Sequence, residues 1–162
     1  GLLVLAAEDM VAQGMKAEEI VEKIKELTDY VDASFVINSL EYLYKGGRCS
    51  ALSMMGANLL KLKPCIEVKN GKMGVAKKYR GKYNEVLLEY VKDRLADGDD
   101  IVKDRVFITH AGVDESTVNE VLELVKKTLD FKEVFVTRAS CTVSSHCGAD
   151  TLGVLFIRKS KI

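Results

Sequence analysis

The sequence shows no excess of either charge: 24 Lys and Arg residues are balanced by 24 Asp and Glu residues. No global field therefore favours nucleic acid or an anionic membrane. A long apolar run is also missing. Nothing approaches the roughly 18 residues that a membrane helix needs. The longest run, Leu2 to Ala7, has neither the basic flank nor the cleavage site of a signal peptide. The four cysteines, Cys49, Cys65, Cys141 and Cys147, show no CxxC spacing, and 162 residues can bury a core without disulfide staples. A reduced, cytoplasmic setting follows. P-loop, GxSxG and HExxH patterns are absent, so the common catalytic constellations are not expected. Cys141, His146 and Cys147 lack the paired spacing of a zinc site, and no metal or other cofactor is expected.

What is present is an alternation of helical and strand patterns without repeats or low-complexity segments. Leu2 to Gly14 and Ala17 to Val31 read as helices, the second with Ile20, Ile24, Leu27 and Val31 on one face. Ser34 to Ile37 reads as a strand, followed by a short helix over Ser39 to Tyr44 that Asn38 or Ser39 can cap. A helix over Ser50 to Lys61 buries Leu52, Met55, Leu59 and Leu60, and Pro64 closes that helical region. Asn70-Gly71 predicts a hairpin between Cys65–Lys69 and Lys72–Lys77. A helix from Lys82 to Leu95 that carries Val86, Leu87, Tyr90, Val91 and Leu95 on its buried face, an acidic loop from Ala96 to Asp104 and a strand from Arg105 to Thr109 come next. Asp114 caps a further helix, and Val134 to Arg138 returns as a strand parallel to the previous one. Ala139 to Thr151 reads as a loop, and Leu152 to Arg158 as a closing buried strand. The pattern predicts a single domain, a two-layer α/β sandwich with a mixed sheet. Gly1 opens straight into an apolar helical face with no capping residue, which predicts that the chain starts partway through a larger protein.

Three places carry candidate chemistry. The first is Tyr44-Lys45-Gly46-Gly47-Arg48-Cys49-Ser50. Two glycines break one helix just before another opens at Ser50, and a helix start presents unpaired N–H groups. With the planar fork of Arg48, Gly46, Gly47 and Ser50 form an anion seat, or else a plain helix–helix turn with a solvated arginine. The second is His146, which lies outside any periodic apolar face and can donate to a carboxylate. Asp150 beside it either orients the imidazole or caps the turn. The third is Arg80, in the basic cluster from Lys77 to Lys82, a pattern that also fits a solvated face. His110, at a strand end, ranks below these.

Read together, Phe35-Val36-Ile37, Leu40-Glu41-Tyr42-Leu43 and Lys45-Gly46-Gly47-Arg48 resemble the glycine-glycine-arginine signature of the DegV family of bacterial fatty-acid-binding proteins. The resemblance continues through Leu59-Leu60-Lys61-Leu62-Lys63-Pro64, Lys78-Tyr79-Arg80-Gly81 and Ser145-His146-Cys147-Gly148. One departure is Gly148-Ala149-Asp150, where the family commonly has glycine-proline-glycine. The resemblance implies the C-terminal domain of a two-domain fold, with the N-terminal domain absent and residues 1–31 a helical lead-in. It implies a lipid-binding subunit rather than an enzyme, with a long-chain fatty acid held at the domain interface. Arg48, Arg80 and His146 would meet the head group, and a partner fatty acid kinase would phosphorylate the carboxylate. Two other readings stand beside it: a kinase-related subunit binding a small ketone covalently through His146, and a basic docking module. The neutral charge balance argues against nucleic acid as a partner.

Overall fold

The computed structural model describes residues 1–47 and 62–162. The predicted helix over Ser50 to Lys61 lies outside these residues, as do Arg48 and Cys49. Six helices and six strands are described: α1 (Leu2–Ala12), α2 (Ala17–Leu27), β1 (Val31–Val36), α3 (Glu41–Lys45), β2 (Leu62–Lys69), β3 (Lys72–Arg80), α4 (Tyr83–Leu95), β4 (Ile101–Ala111), α5 (Glu115–Thr128), β5 (Glu133–Arg138), α6 (Cys141–Cys147) and β6 (Thr151–Arg158). The strands form one sheet in the order β3-β2-β1-β6-β4-β5. Only β4 and β5 are parallel among the pairs, joined through α5, so the sheet is mixed as expected.

Local chemistry explains most boundaries. Asn70 and Gly71 take φ of 50° and 71°, the left-handed pair that a tight hairpin turn requires between β2 and β3. Asp114 accepts from the Thr117 amide and starts α5. Four expectations need correction. The second helix stops at Leu27 rather than Val31, because Val31 pairs with Ile157 and opens β1. Pro64 is an internal, buried residue of β2. The acidic loop is shorter than predicted, since β4 already begins at Ile101 after a 3-10 turn over Gly98–Asp100. Most consequentially, the loop from Ala139 to Thr151 contains helix α6, which carries His146 in its last turn.

Helices α4 and α5 cover one face of the sheet. Val86, Leu87, Tyr90 and Val91 of α4 and Val118, Val121 and Val125 of α5 pack on Val36, Val106, Ile108, Leu152, Val154 and Phe156. Along α4, Tyr83, Tyr90 and Arg94 lie on one stripe and meet successive inward residues of β1. The Tyr90 hydroxyl contacts the Ser34 hydroxyl at 2.9 Å, donates to the Ser34 carbonyl at 2.8 Å and accepts the Val154 amide at 2.9 Å. Arg94 pairs with Asp32, which also accepts from Arg158 Nε at 2.7 Å. These contacts satisfy polar groups that would otherwise be buried without partners. On the opposite face, α1 lies by Phe107 and Arg105, with Arg105 forked onto Asp9. A second cluster joins Ile37, Leu43, Ile66 and Cys147 to Phe35, Met73 and Val75, and so fastens α3 and α6 to that face. Among the described residues no helix is long and apolar enough to cross a membrane.

Candidate functional site

Strand directions gather the chemistry at one rim of the sheet. Arg80 ends β3 opposite Leu62 at the start of β2, and Val36 near the end of β1 pairs with Leu152 near the start of β6. His110 and Arg138, at the ends of β4 and β5, are register partners on the same rim. Helices α3 and α6 sit here too. Residues more than a hundred positions apart, such as Val36 and Leu152, thus share one edge.

The glycine turn and His146 touch directly. Gly46 closes α3 with φ −76°, a conformation open to any residue. Yet a Cβ on Gly46 would sit 2.3 Å from His146 Nδ1 and 3.1 Å from its Cε1. Gly47 differs: among the described residues nothing lies within 4 Å of its Cβ position, but its φ is +70°. One glycine is there for space and the other for backbone conformation. The fit is reciprocal, because a Cβ on Gly148 would lie 2.4 Å from the Tyr42 ring. Lys45 does not contribute to the turn, since its ammonium reaches back to Glu41 at 2.6 Å on the same helix.

Helix α6 is capped by the Ser140 hydroxyl, which accepts the Val143 amide at 3.3 Å, and it ends at Gly148 with φ +83°. His146 is half-buried. Its Nδ1 is fully enclosed and has no hydrogen-bond partner among the described residues. Asp150, the candidate orienting group, is engaged elsewhere. It accepts from Asn38 Nδ2 at 3.2 Å, while Asn38 in turn accepts from the Lys63 ammonium. The Tyr83 hydroxyl donates to the carbonyls of Val36 and Asp150. Those contacts stabilise Asp150 at φ +62°, the left-handed conformation that a glycine would adopt more easily. Burial first, and the nearby Asp150 charge second, push the Tyr83 phenol above its ordinary pKa.

Sequence reasoning gave no role to Lys63 or Tyr83 and read Asn38 only as a possible helix cap; the Gly148-Ala149-Asp150 departure alone marked their neighbourhood. Arg80 is exposed and makes no ion pair among the described residues. Lys77 of the same cluster is held by Asp93 at 2.6 Å and Glu89 at 3.3 Å, on the α4 face. Lys78 and Arg80 alternate away from it. Arg48 and Ser50 lie outside the described residues. His110 is also on the rim, its pKa lowered by burial first and by the Arg138 charge second. A cleft of about 460 Å³ lies at the opposite rim between α1, α2 and the sheet, lined by Leu2, Met10, Leu27, Tyr30 and Ile157, and it touches none of the predicted site residues among those described. Among the described residues no group of three or more His, Cys, Asp or Glu side chains is arranged to hold a metal.

An α/β chain with a glycine turn docked on a histidine helix at one rim of a mixed sheet matches a known family. The family model described as "Uncharacterised protein, DegV family" covers residues 1–159, and the chain belongs to that family. It is 30% identical over 161 residues to a DegV domain-containing protein of Caldanaerobacter subterraneus subsp. tengcongensis, covering 98% of this chain and 56% of that protein. It is 30% identical over 151 residues to a protein of Thermotoga maritima named fatty acid-binding protein, covering 91% of this chain and 51% of the relative. Among solved structures, a DegV family protein from Thermus thermophilus described for fatty acid binding superposes with a TM-score of 0.83 at 26% identity, over 98% of this chain and 56% of that one. The chain spans about half the length of the curated relatives it matches.

Proposed function

We propose that this chain is the C-terminal half of a fatty-acid-binding protein, in which a long-chain fatty acid lies at the interface with an N-terminal domain. Its carboxylate faces the rim that holds the glycine turn and His146. A partner fatty acid kinase then phosphorylates that carboxylate, so this chain presents the lipid and the partner performs the chemistry. Arg48, Arg80 and His146 meet the head group, and Gly46, Gly47 and Ser50 shape the turn; for Arg48 and Ser50 the support is the motif alone.

The observation that carries the reading is the seat of His146 on Gly46. It brings two motifs a hundred residues apart into contact, on the rim where the exposed Arg80 ends β3 and makes no ion pair among the described residues. A charged carboxylate gains most from such directed donors, since charge-assisted hydrogen bonds are about twice as strong as neutral ones. The two relatives described for fatty acid binding support the ligand class. The sheet face opposite α4 and α5 supplies apolar side chains for part of a tunnel, with Phe107 and Phe135 stacked at 4.8 Å beside Leu155 and Phe35. The kinase step rests on the resemblance of the motifs.

Calorimetric titration with one long-chain fatty acid tests the reading on two proteins: this 162-residue chain, and a polypeptide joining it to an N-terminal DegV half. Each buried methylene stabilises by about 0.8 kcal/mol only where water is excluded. The joined protein is expected to bind tightly and the chain alone poorly. Equal affinity would overturn the shared interface, and no binding by either would overturn the lipid reading.

A further inference from the structure

The two adjacent glycines of the turn are not equivalent, and only Gly47 needs its conformation. Gly46 sits at φ −76° and ψ 0°, where alanine is unstrained. Its missing Cβ nevertheless clears the space taken by His146 Nδ1 at 2.3 Å and Cε1 at 3.1 Å. These are rigid ring atoms. The ring has little room to retreat, because α3 and α6 also interlock through Gly148 and Tyr42, where a Cβ would lie 2.4 Å from the phenol ring.

The seat has a consequence for the hydrogen on the imidazole. Nδ1 is enclosed without a partner among the described residues, while Nε2 is not enclosed in that way. With either tautomer Nδ1 is left without a partner, but a hydrogen there would also need room at the ring atom that lies nearest to Gly46, which a bare nitrogen does not. The Asp150 carboxylate accepts from Asn38 and not from Nδ1. We propose that Gly46 is a positioning residue for His146: by lacking a Cβ it seats Nδ1, and the ring is held with its hydrogen on Nε2, the nitrogen left to donate to a carboxylate ligand. The last clause rests on the lipid-binding reading; the seat and the tautomer do not.

The test needs no ligand at first. The chain contains only two histidines, so long-range proton–nitrogen correlation spectra of ¹⁵N-labelled protein resolve each ring, with His146→Ala identifying its signals. Wild type is expected to show a bare Nδ1 and a hydrogen-bearing Nε2 on His146, without averaging. Gly46→Ala is expected to displace the ring, average its nitrogen signals and lower the melting temperature. Adding His146→Ala to Gly46→Ala should return the melting temperature to that of His146→Ala alone, because the new methyl then occupies the vacated space. A hydrogen on Nδ1 in wild type would overturn the proposal. So would unchanged ring signals in Gly46→Ala, or a double variant that loses the sum of both single effects. In the longer protein, Gly46→Ala should weaken binding of a long-chain fatty acid as much as His146→Ala does, with no further loss in the double variant. If the wild type binds no fatty acid, the lipid reading fails while the ring spectra still decide the seat.

Discussion

Replacing Asp32 by asparagine removes one negative charge from between two arginines while keeping nearly the same shape. Asp32 is 2% exposed, and its partners Arg94 and Arg158 are 16% and 17% exposed. Burial alone works against the charge on Arg94; the Asp32 carboxylate more than offsets it and holds the Arg94 pKa above its ordinary value. Removing one partner of a buried ion pair costs about 3–5 kcal/mol, chiefly because the remaining charge is stranded. Two neighbours soften the loss here. Glu67 stands 3.6 Å from Arg94, and Asp100 stands 3.1 Å from Arg158. The asparagine oxygen also still accepts one hydrogen bond. The expected cost of Asp32→Asn is therefore at the low end, about 3 kcal/mol. For a domain of this size, each kcal/mol moves the melting temperature by about 2–4 °C, so the drop should be about 6–12 °C. Urea unfolding should show a lower midpoint with an unchanged slope. Lys25→Ala serves as the control, since Lys25 and Glu22 are 67% and 72% exposed and such pairs contribute little. A loss below about 1 kcal/mol for Asp32→Asn would refute the argument that this carboxylate neutralises both arginines.

Gly47→Val places a β-branched residue at φ +70°, so it should destabilise the chain by about 1–2 kcal/mol in urea unfolding; wild-type stability would show that the turn tolerates a side chain. Asp114 has its pKa lowered to about 2 by hydrogen bonds from Ser116 and Thr117. A depressed carboxylate stabilises above its unfolded pKa and loses that contribution as pH falls through the folded value. The stability gap between wild type and Asp114→Ala should therefore be full above about pH 4 and close toward pH 2, and a gap independent of pH would refute the assignment. Burial pushes the Cys65 thiol up to about 12 and raises that of Cys147, whereas Cys141 is exposed. In a native thiol-labelling time course Cys141 should react well before Cys65 and Cys147, and simultaneous labelling of all three would contradict the buried placement.

Where chemistry is local, the sequence was legible. Asn70-Gly71 makes its turn, Asp114 caps its helix, and the apolar stripe of Val86, Leu87, Tyr90 and Val91 is buried as its spacing predicts. Where stability comes from partners distant in the chain, it was not. Helix α6 buries only Cys147 among its own residues, so no apolar period announces it. It is held instead by the Ser140 cap, the Gly148 stop and the bond from the Thr151 hydroxyl to the Cys147 carbonyl at 2.9 Å. The start of β4 was hidden by Lys103 and Asp104, which are exposed. The ladder with β6 is interrupted there, between Val102 and Phe107, so strand alternation fails in the sequence where pairing fails in the sheet.

The candidate site shows the same limit in a sharper form. Read along the chain, Gly46 and Gly47 are one motif, because both are glycine and both fall in a turn. Backbone angles separate them, and only the position of a side chain a hundred residues away explains why Gly46 cannot carry a methyl. Helix α4 contributes in a similar way. Tyr83, Tyr90 and Arg94 place polar tips at the rim, the middle and the far end of β1, and only Tyr90 lies within the apolar stripe that spacing identified. Tyr83 thereby ties Val36 to Asp150 and fixes the backbone just beyond His146. A rim assembled in this manner depends on the register of five strand pairs at once. A one-residue slip of β1 against β6 would turn Asp32, Ser34 and Val36 to the opposite face. It would strand the polar tips of α4 and separate the glycine turn from its histidine. The buried polar contacts along β1 are therefore what hold the candidate site in register.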